Sequence, residues 1–360
     1  MTVAEAPSLL DAARVARRAV LARRRADRRV PRLRRGDRGP GVEPRVWMIC
    51  PDWDHPSGGI RKQYRAVDVL NGAGVAAAIV HRRPGFACSW FEHRTRIVAA
   101  DEVVVGAGDV IAVPEIYGPS ILDLPAGIPQ VIFNQNAYLT LDSLVADGPG
   151  AAAPYVDNPD LAAVVVVSDQ NADLLRFALG DLPTRRIRHA LDPAVHFPPA
   201  APPRRRIAYM PRRRSHAAAQ VLRLLELRGA LAGWEVVEID GLTEPEVADA
   251  LRASRIFLSL SELEGFGLPP LEALACGCLV VGFDGFAGRE FFRPPFAVAV
   301  EDGDVVAFAR AVEEAIRRCD RDPAAVDAAC EAGSRYALGA YSPAVERRDL
   351  LDVFAALVRR

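Results

Sequence analysis

Lysine is almost missing from this chain. One Lys, at position 62, stands among 45 basic residues. Such a bias reflects codon composition that puts Arg wherever either residue serves. The survivor lies in Ser57-Gly-Gly-Ile-Arg-Lys62, and Lys and Arg are not equivalent beside a compact anion. Lys62, with Gly58 and Gly59, is therefore a candidate for the acceptor or phosphate side of a site. Long apolar runs are missing too. None reaches the roughly 18 residues that a membrane span needs, and the N-terminus lacks the apolar centre of a secretory signal. The six cysteines (Cys50, Cys88, Cys276, Cys278, Cys319, Cys330) are scattered. Cys276 and Cys278 sit too close for C-x₂-C metal spacing, and no second pair follows. They are expected to be reduced packing residues of a cytoplasmic protein. No fixed-period repeat occurs, which excludes a solenoid.

What is present is unevenly placed. Half of the 360 residues are apolar, and the length exceeds what one core uses, so two domains are expected. The formal net charge is −1, yet residues 1–40 hold twelve Arg against four Asp+Glu, a net of +8 that leaves −9 for the remainder. The basic residues of this extension are interleaved with Leu9, Leu10, Val15, Val20 and Leu21. Two readings stand: an amphipathic segment on an anionic membrane surface, at the inner face, or a solvated extension. Phosphate contacts to nucleic acid fit poorly with the mildly acidic remainder, so no nucleic-acid partner is expected.

Hydrophobic patterning organises the rest. Strands are predicted over 45–50, 75–80, 109–113, 130–133 and 162–167, and helices over 60–70 and 171–179, the latter capped by Ser168. Residues 185–191 read as the last strand of this half. Five prolines within 192–203 mark a stiff linker. Strands over 206–210, 234–239, 255–260, 279–283 and 297–300 follow. Helices are predicted over 217–231 and 245–253, with a capping box in Thr243-Glu-Pro-Glu246, and three helical stretches run to the end. This double alternation predicts an α/β fold of two doubly wound parallel sheets facing a cleft. The expected division is an extension over 1–40, a first domain over 41–191, a linker over 192–203, a second domain over 204–340, and a last helix over 341–360 able to pack back on the first.

The segment Ser261-Glu-Leu-Glu-Gly-Phe-Gly-Leu-Pro-Pro-Leu-Glu-Ala-Leu-Ala-Cys-Gly277 carries the most chemistry. It follows a strand and sets Glu264 and Glu272 around a Gly-Phe-Gly turn that opens a helix. Pro269 and Pro270 suit the helix start, and Gly277 its stop. A helix start offers unpaired N–H groups and about half a positive charge to an anion, and Gly265 and Gly267 let backbone approach it closely. Two acids beside an anion site need hydroxyl partners to explain them, since carboxylates accept strong hydrogen bonds from sugars. A phosphate flanked by sugars, a nucleotide-sugar, fits the pattern.

The string E-G-F-G-L-P-x-L-E-A-x-A-x-G-x-x-V-V resembles the signature of the bacterial retaining glycosyltransferases of family 4, which have the GT-B fold. The resemblance is dense over about 205–300 and ordered but weaker over 45–200. It implies that Glu264 contacts the donor sugar, that Glu272 holds the ribose hydroxyls, and that the backbone of Gly265, Phe266, Gly267 and Leu268 binds the diphosphate. Gly241 and Leu242, after the strand over 234–239, take the nucleobase position. In Pro211-Arg-Arg-Arg214, Arg212 and Arg213 match best the family's basic pair, which stabilises the leaving diphosphate. The family's Gly-Arg…Lys-Gly spacing is absent, so the choice among Arg212, Arg213 and Arg214 stays open. The loop Asp284-Gly-Phe-Ala-Gly-Arg-Glu290 lines the donor-sugar side or simply caps a helix.

Where the family often has a histidine after the strand over 130–133, this chain has Asn134, Gln135 and Asn136. Amides bond sugar hydroxyls but are no general base at neutral pH; His55 is the best-placed histidine. With retention, the leaving phosphate can take the acceptor proton. Arginine replaces a metal, so no metal or other cofactor is expected, and the nucleotide-sugar is a substrate. The implied reaction moves a sugar to a saccharide or lipid-linked hydroxyl in polysaccharide or glycolipid synthesis at the cell envelope. The rivals are an epimerase or a phosphorylase of the same fold and a non-catalytic sugar-nucleotide scaffold. The first would carry a cleft richer in acids and His, the second a cofactor lysine, and the third has no need of both Glu264 and Glu272.

Overall fold

The computed structural model describes residues 29–37, 42–148, 150, 152–201 and 203–358. The first half runs β1 (Arg34–Arg35), β2 (Val46–Ile49), α1 (Gly58–Gly72), β3 (Ala77–His81), β4 (Ile97–Ala99), β5 (Val104–Val105), β6 (Val110–Pro114), β7 (Gln130–Phe133), α2 (Ala137–Asp147), β8 (Leu161–Val166), α3 (Asp169–Leu179) and β9 (Thr184–Arg186). Seven of its strands form one parallel sheet in the order β4-β3-β2-β6-β7-β8-β9. The second half runs β10 (Arg204–Tyr209), α4 (Ser215–Leu227), β11 (Glu235–Glu238), α5 (Glu244–Arg252), β12 (Ser254–Ser261), α6 (Leu268–Ala275), β13 (Leu279–Asp284), β14 (Ala297–Val300), α7 (Val305–Arg321), α8 (Pro323–Ala340) and α9 (Pro343–Val358). Its sheet is also parallel, in the order β11-β10-β12-β13-β14.

Helices cover both faces of each sheet, so the central strands are buried throughout and read as continuous apolar runs. All eight residues of β12 are buried. Its Ser259 survives there because the hydroxyl donates to the Phe283 carbonyl at 2.7 Å. Strand order reverses between β2 and β6 in one sheet and between β10 and β12 in the other. Loops at the carboxyl ends beside those points are where such folds bind ligands. They are residues 50–57 after β2, which lead into Gly58 and Gly59 at the start of α1, residues 211–214 after β10, and residues 262–267 after β12.

The chain crosses between the domains through residues 192–203 and again between α8 and α9. Leu350, Val353 and Phe354 of α9 join the first domain's core beside Ile60, Tyr64, Val67 and Leu70. Arg188 grips Asp349 of α9 with Nε at 2.8 Å and Nη2 at 2.9 Å, a charge-assisted bidentate pair. This explains why β9 stops at Arg186 although the expected strand runs to Leu191. The Arg188 and Ala190 N–H groups are taken by Asp349 and Glu346 of α9, so no sheet partner is needed.

The second sheet follows the expected alternation strand for strand. In the first half, the strands β1, β4 and β5 and the helix α2 have no predicted counterpart. Helix α2 is capped by the Asn136 side chain, which accepts from Tyr138 N at 3.0 Å. Of the basic extension, residues 29–37 are seated on the first domain. Val30 is buried in its core and donates N–H to Ser120 at 3.0 Å, and β1 pairs in parallel with β5. Residues 1–28 and 38–41 lie outside the described residues. All six cysteines are free and five are buried. No helix among the described residues is long and apolar enough to cross a membrane.

Candidate functional site

The turn after β12 is shaped by its glycines. Gly267 caps α6 at φ +91°, a region that side chains strain to adopt. Phe266 points inward, edge-on to His189 (5.5 Å) and Tyr341 (5.3 Å), and burying a ring of that size stabilises the turn by about 2–3 kcal/mol. Glu264 N donates to Gly285 O at 3.0 Å. This brings the 284–290 loop beside Glu264, with Glu264 Cγ 3.0 Å from where a Gly285 Cβ would stand. Burial raises the Glu264 pKa, while Arg213 and then Arg212 pull it down. Glu272 lies farther along α6 on its buried side, 8% exposed. Gly241 has φ +67° and Leu242 is exposed, both in the loop between β11 and α5.

The three arginines after β10 separate by partner. Arg214 is held by Asp302 at 2.8 Å and Glu262 at 3.3 Å and lies over the Phe283 ring. It is a scaffold residue. Arg213 Nη1 lies 3.3 Å from Glu264 Oε1, and Arg212 Nη1 donates to Pro56 O at 3.3 Å on the opposite domain. Arg212 and Arg213 are thus the two that reach the cleft.

The first domain closes against this turn. A Cβ on Gly58 would come 3.1 Å from Leu268, and one on Gly265 only 1.8 Å from Gln135 O. Gln135 Nε2 donates to Gly59 O at 3.1 Å, Asn136 Nδ2 to Leu263 O at 3.0 Å, and Ser168 Oγ to Gly265 O at 2.7 Å. Gln135 and Asn136 therefore stand at the cleft, as ties between loops. Asn134 does not: it is fully buried and donates to Thr140 and Tyr155, so it supports the loop from within. Lys62 is likewise internal, because Ala190 and Glu346 draw it in. Its ammonium donates to Ala190 O and faces Glu346 at 3.8 Å. Burial lowers its pKa to about 8. His55 is exposed and stacked on Trp53.

Several site neighbours have contacts that no sequence signal gives. Glu115 is buried and accepts the N–H groups of Gln135 (3.1 Å) and Asn136 (2.9 Å), which fixes the cleft loop. Burial raises its pKa to about 7. Glu290 pairs with Arg186 and accepts from Asp169 N at 2.6 Å, tying the domains. Around Glu272 stand Arg61, whose guanidinium is 3.6 Å away, and His196, with Nε2 at 4.0 Å. Arg61 also pairs with Glu244 at 2.8 Å. His196 is 1% exposed and both ring nitrogens lack a partner. His196, Glu244 and Glu272 offer ligand atoms within 4.8 Å of one another, a spacing that suits a metal ion. The Arg61 guanidinium, paired with both carboxylates, already supplies positive charge at that point.

Residues 226–327 match the family model for Glycosyl transferases group 1. An alpha-1,6-glucosyltransferase of Actinobacillus pleuropneumoniae serotype 7 (strain AP76) is 28% identical over 234 residues, covering 61% of this chain and 67% of that protein. Among solved structures, sucrose-phosphate synthase from Thermosynechococcus elongatus superposes with a TM-score of 0.65 at 15% identity, over 88% of this chain and 100% of the other. Anabaena HepE in complex with UDP gives 0.62 at 12% identity, over 87% and 100%. The shared architecture is the GT-B fold, two Rossmann-like domains about a cleft.

Proposed function

We propose that this chain, a glycosyltransferase of the GT-B fold, moves a sugar from a nucleotide diphosphate-sugar to a hydroxyl of a saccharide or lipid-linked acceptor. The transfer retains anomeric configuration and uses no metal. The observation that carries the reading is a convergence on one turn. Glu264, the Gly265-Phe-Gly267 backbone, the start of α6 and Glu272 lie together, with Arg212 and Arg213 arriving from the neighbouring strand end. Glu272 accepts the ribose hydroxyls, the turn backbone takes the diphosphate, and Glu264 accepts from the donor sugar. The two arginines stabilise the charge that develops on the leaving diphosphate. That phosphate then takes the acceptor proton, which is why amides at Gln135 and Asn136 suffice where a base would otherwise stand. The UDP in the HepE complex supports a nucleoside diphosphate as the leaving group.

The test is a panel of nucleotide-sugars screened by thermal shift, followed by turnover with the stabilising donor in EDTA and assignment of the product anomer by NMR. Stabilisation by a matched donor and nucleoside diphosphate, activity in EDTA, and an unchanged anomer are expected. An inverted product or loss of activity in EDTA would overturn the corresponding part. Synthesis of envelope polysaccharide or glycolipid is the role that this reaction serves best in a chain with a basic N-terminal extension.

A further inference from the structure

We propose, resting on the reading of Glu272 as the ribose contact, that Arg61 is a donor-binding residue supplied by the opposite domain, with Glu244 as the side chain that positions it. Arg61 stands in the first turn of α1, two residues after Gly59. Its guanidinium crosses the cleft to two carboxylates of the second domain, and the two contacts are unequal. Nη1 meets Glu244 Oε2 at 2.8 Å, a charge-assisted hydrogen bond. Nη2 stands 3.6 Å from Glu272 Oε1, beyond hydrogen-bond length.

That inequality sets what happens when a ribose arrives. Two hydroxyls on Glu272 replace the loose contact with real hydrogen bonds, and Arg61 keeps its grip on Glu244. One edge of the guanidinium is then held and the other is free beside the ribose, where the first phosphate of the donor must lie. Arg is suited to this because its planar fork can serve a carboxylate and a phosphate at once, which an ammonium does less well. Local charge points the same way. Glu244, Glu264 and Glu272 surround an anionic ligand, and Arg213 is engaged with Glu264. At the ribose end Arg61 is the cation that faces Glu244 and Glu272 together. Because it belongs to the first domain, a donor held by it also holds the cleft shut.

Calorimetry with UDP, GDP, ADP and dTDP first identifies the nucleotide bound. Arg61→Ala is then expected to weaken that nucleoside diphosphate by about tenfold or more, with Arg61→Lys failing to restore it and Glu244→Gln weakening it less. The inhibition constant of the matching free nucleoside, which has no phosphate to meet Arg61, should stay unchanged, as should the melting temperature. Wild-type affinity in Arg61→Ala, or equal losses for nucleoside and nucleoside diphosphate, would overturn the proposal, since the second result marks a tie between domains. Glu272→Gln separates the two levels. If Glu272→Gln weakens the nucleoside diphosphate and Arg61→Ala does not, only the Arg61 assignment falls. If Glu272→Gln binds like wild type, the ribose reading itself has failed and takes this one with it.

Discussion

The guanidinium of Arg213 lies 3.3 Å from the Glu264 carboxylate while donating to the Glu262 carbonyl at 3.1 Å. Two motifs far apart in the chain, one after β10 and one after β12, are joined by this pair. Burial pushes the Glu264 carboxyl towards its neutral form, and Arg213 is the larger of the two cations opposing it. Arg213→Ala should therefore let burial dominate and raise the pH at which Glu264 protonates. The expected outcome is an acid limb of kcat/KM displaced to higher pH. A limb at its wild-type position would show that activity does not require ionised Glu264.

Glu264 and Glu272 should give opposite signatures. Glu264→Ala is expected to spare nucleoside diphosphate affinity and sharply lower turnover with the full donor, because it stands on the sugar side of the turn. Glu272→Gln is expected to weaken the bare nucleoside diphosphate, since a hydrogen bond to a charged group contributes about 1.5–3 kcal/mol. Titration calorimetry paired with steady-state rates reads both. Equal loss of bare nucleotide and nucleotide-sugar in Glu264→Ala would remove Glu264 from the sugar position.

At Gly265 the second domain leaves no room for a side chain against the first. A Cβ there would lie 1.8 Å from Gln135 O and 2.7 Å from Asn136 Cα, backbone atoms that cannot swing aside. Gly265→Ala should force the cleft open while leaving each sheet intact. Turnover is expected to fall much more than nucleoside diphosphate affinity, with a larger radius of gyration in solution scattering. Wild-type turnover would mean that the active enzyme does not close on this contact.

Glu115 predicts a pH dependence of stability. Its folded pKa is raised to about 7 from the ordinary 4.5 by burial, so the folded state holds the proton more tightly than the unfolded one. The contribution is fully present below the unfolded value and is lost as pH rises through the folded value. At about 1.4 kcal/mol per pKa unit, the span is on the order of 3 kcal/mol. Glu115→Gln removes this titration. Relative to wild type, the variant should gain stability between about pH 5 and about pH 8 in denaturant titrations. A difference that stays constant with pH would show that Glu115 does not titrate in that window.

How much of this was legible depends on how local each signal is. The Ser168 cap, the Thr243 capping box and the Glu264-to-Glu272 turn are each written in a few consecutive residues, and each forms where its spacing predicts. Helix α2 carries no clear sequence signal, because its apolar residues are spread around it without a clean face and its capping Asn136 reads equally well as an amide for sugar hydroxyls. Edge strand β4 is three residues long, too short for alternation to register. Arg61, Glu244 and His196 act through partners more than fifty residues away, and Glu115 through backbone N–H groups 20 and 21 residues on in another loop, and no spacing announces such pairs. Lys62 shows the converse hazard. Its rarity singled it out, but the structure uses it to hold Ala190 and face Glu346.

The same contrast decides how the basic extension should be tested. Its net of +8 over residues 1–40 motivates docking on an anionic membrane, with each Arg near the leaflet contributing about 1 kcal/mol. Part of that excess lies in residues 29–37, which are already seated on the first domain. Residues 1–28 hold seven Arg against three Asp+Glu, a net of +4, and residues 29–40 supply the other +4. Within the latter, Arg34 donates to Asp101 O at 2.8 Å and Arg35 to Ala126 O at 2.6 Å, while Val30 fills the first domain's core. A chain cut at Gly41 would lose Val30 and β1, and would confuse instability with loss of anchoring. The informative cut falls before Arg29. The full chain should sediment with anionic liposomes and not neutral ones, less so at high salt, and the chain starting at Arg29 should sediment weakly. If the two behave alike on anionic liposomes, residues 1–28 are not the anchor. If neither binds, the acceptor is soluble and the extension serves something other than a membrane.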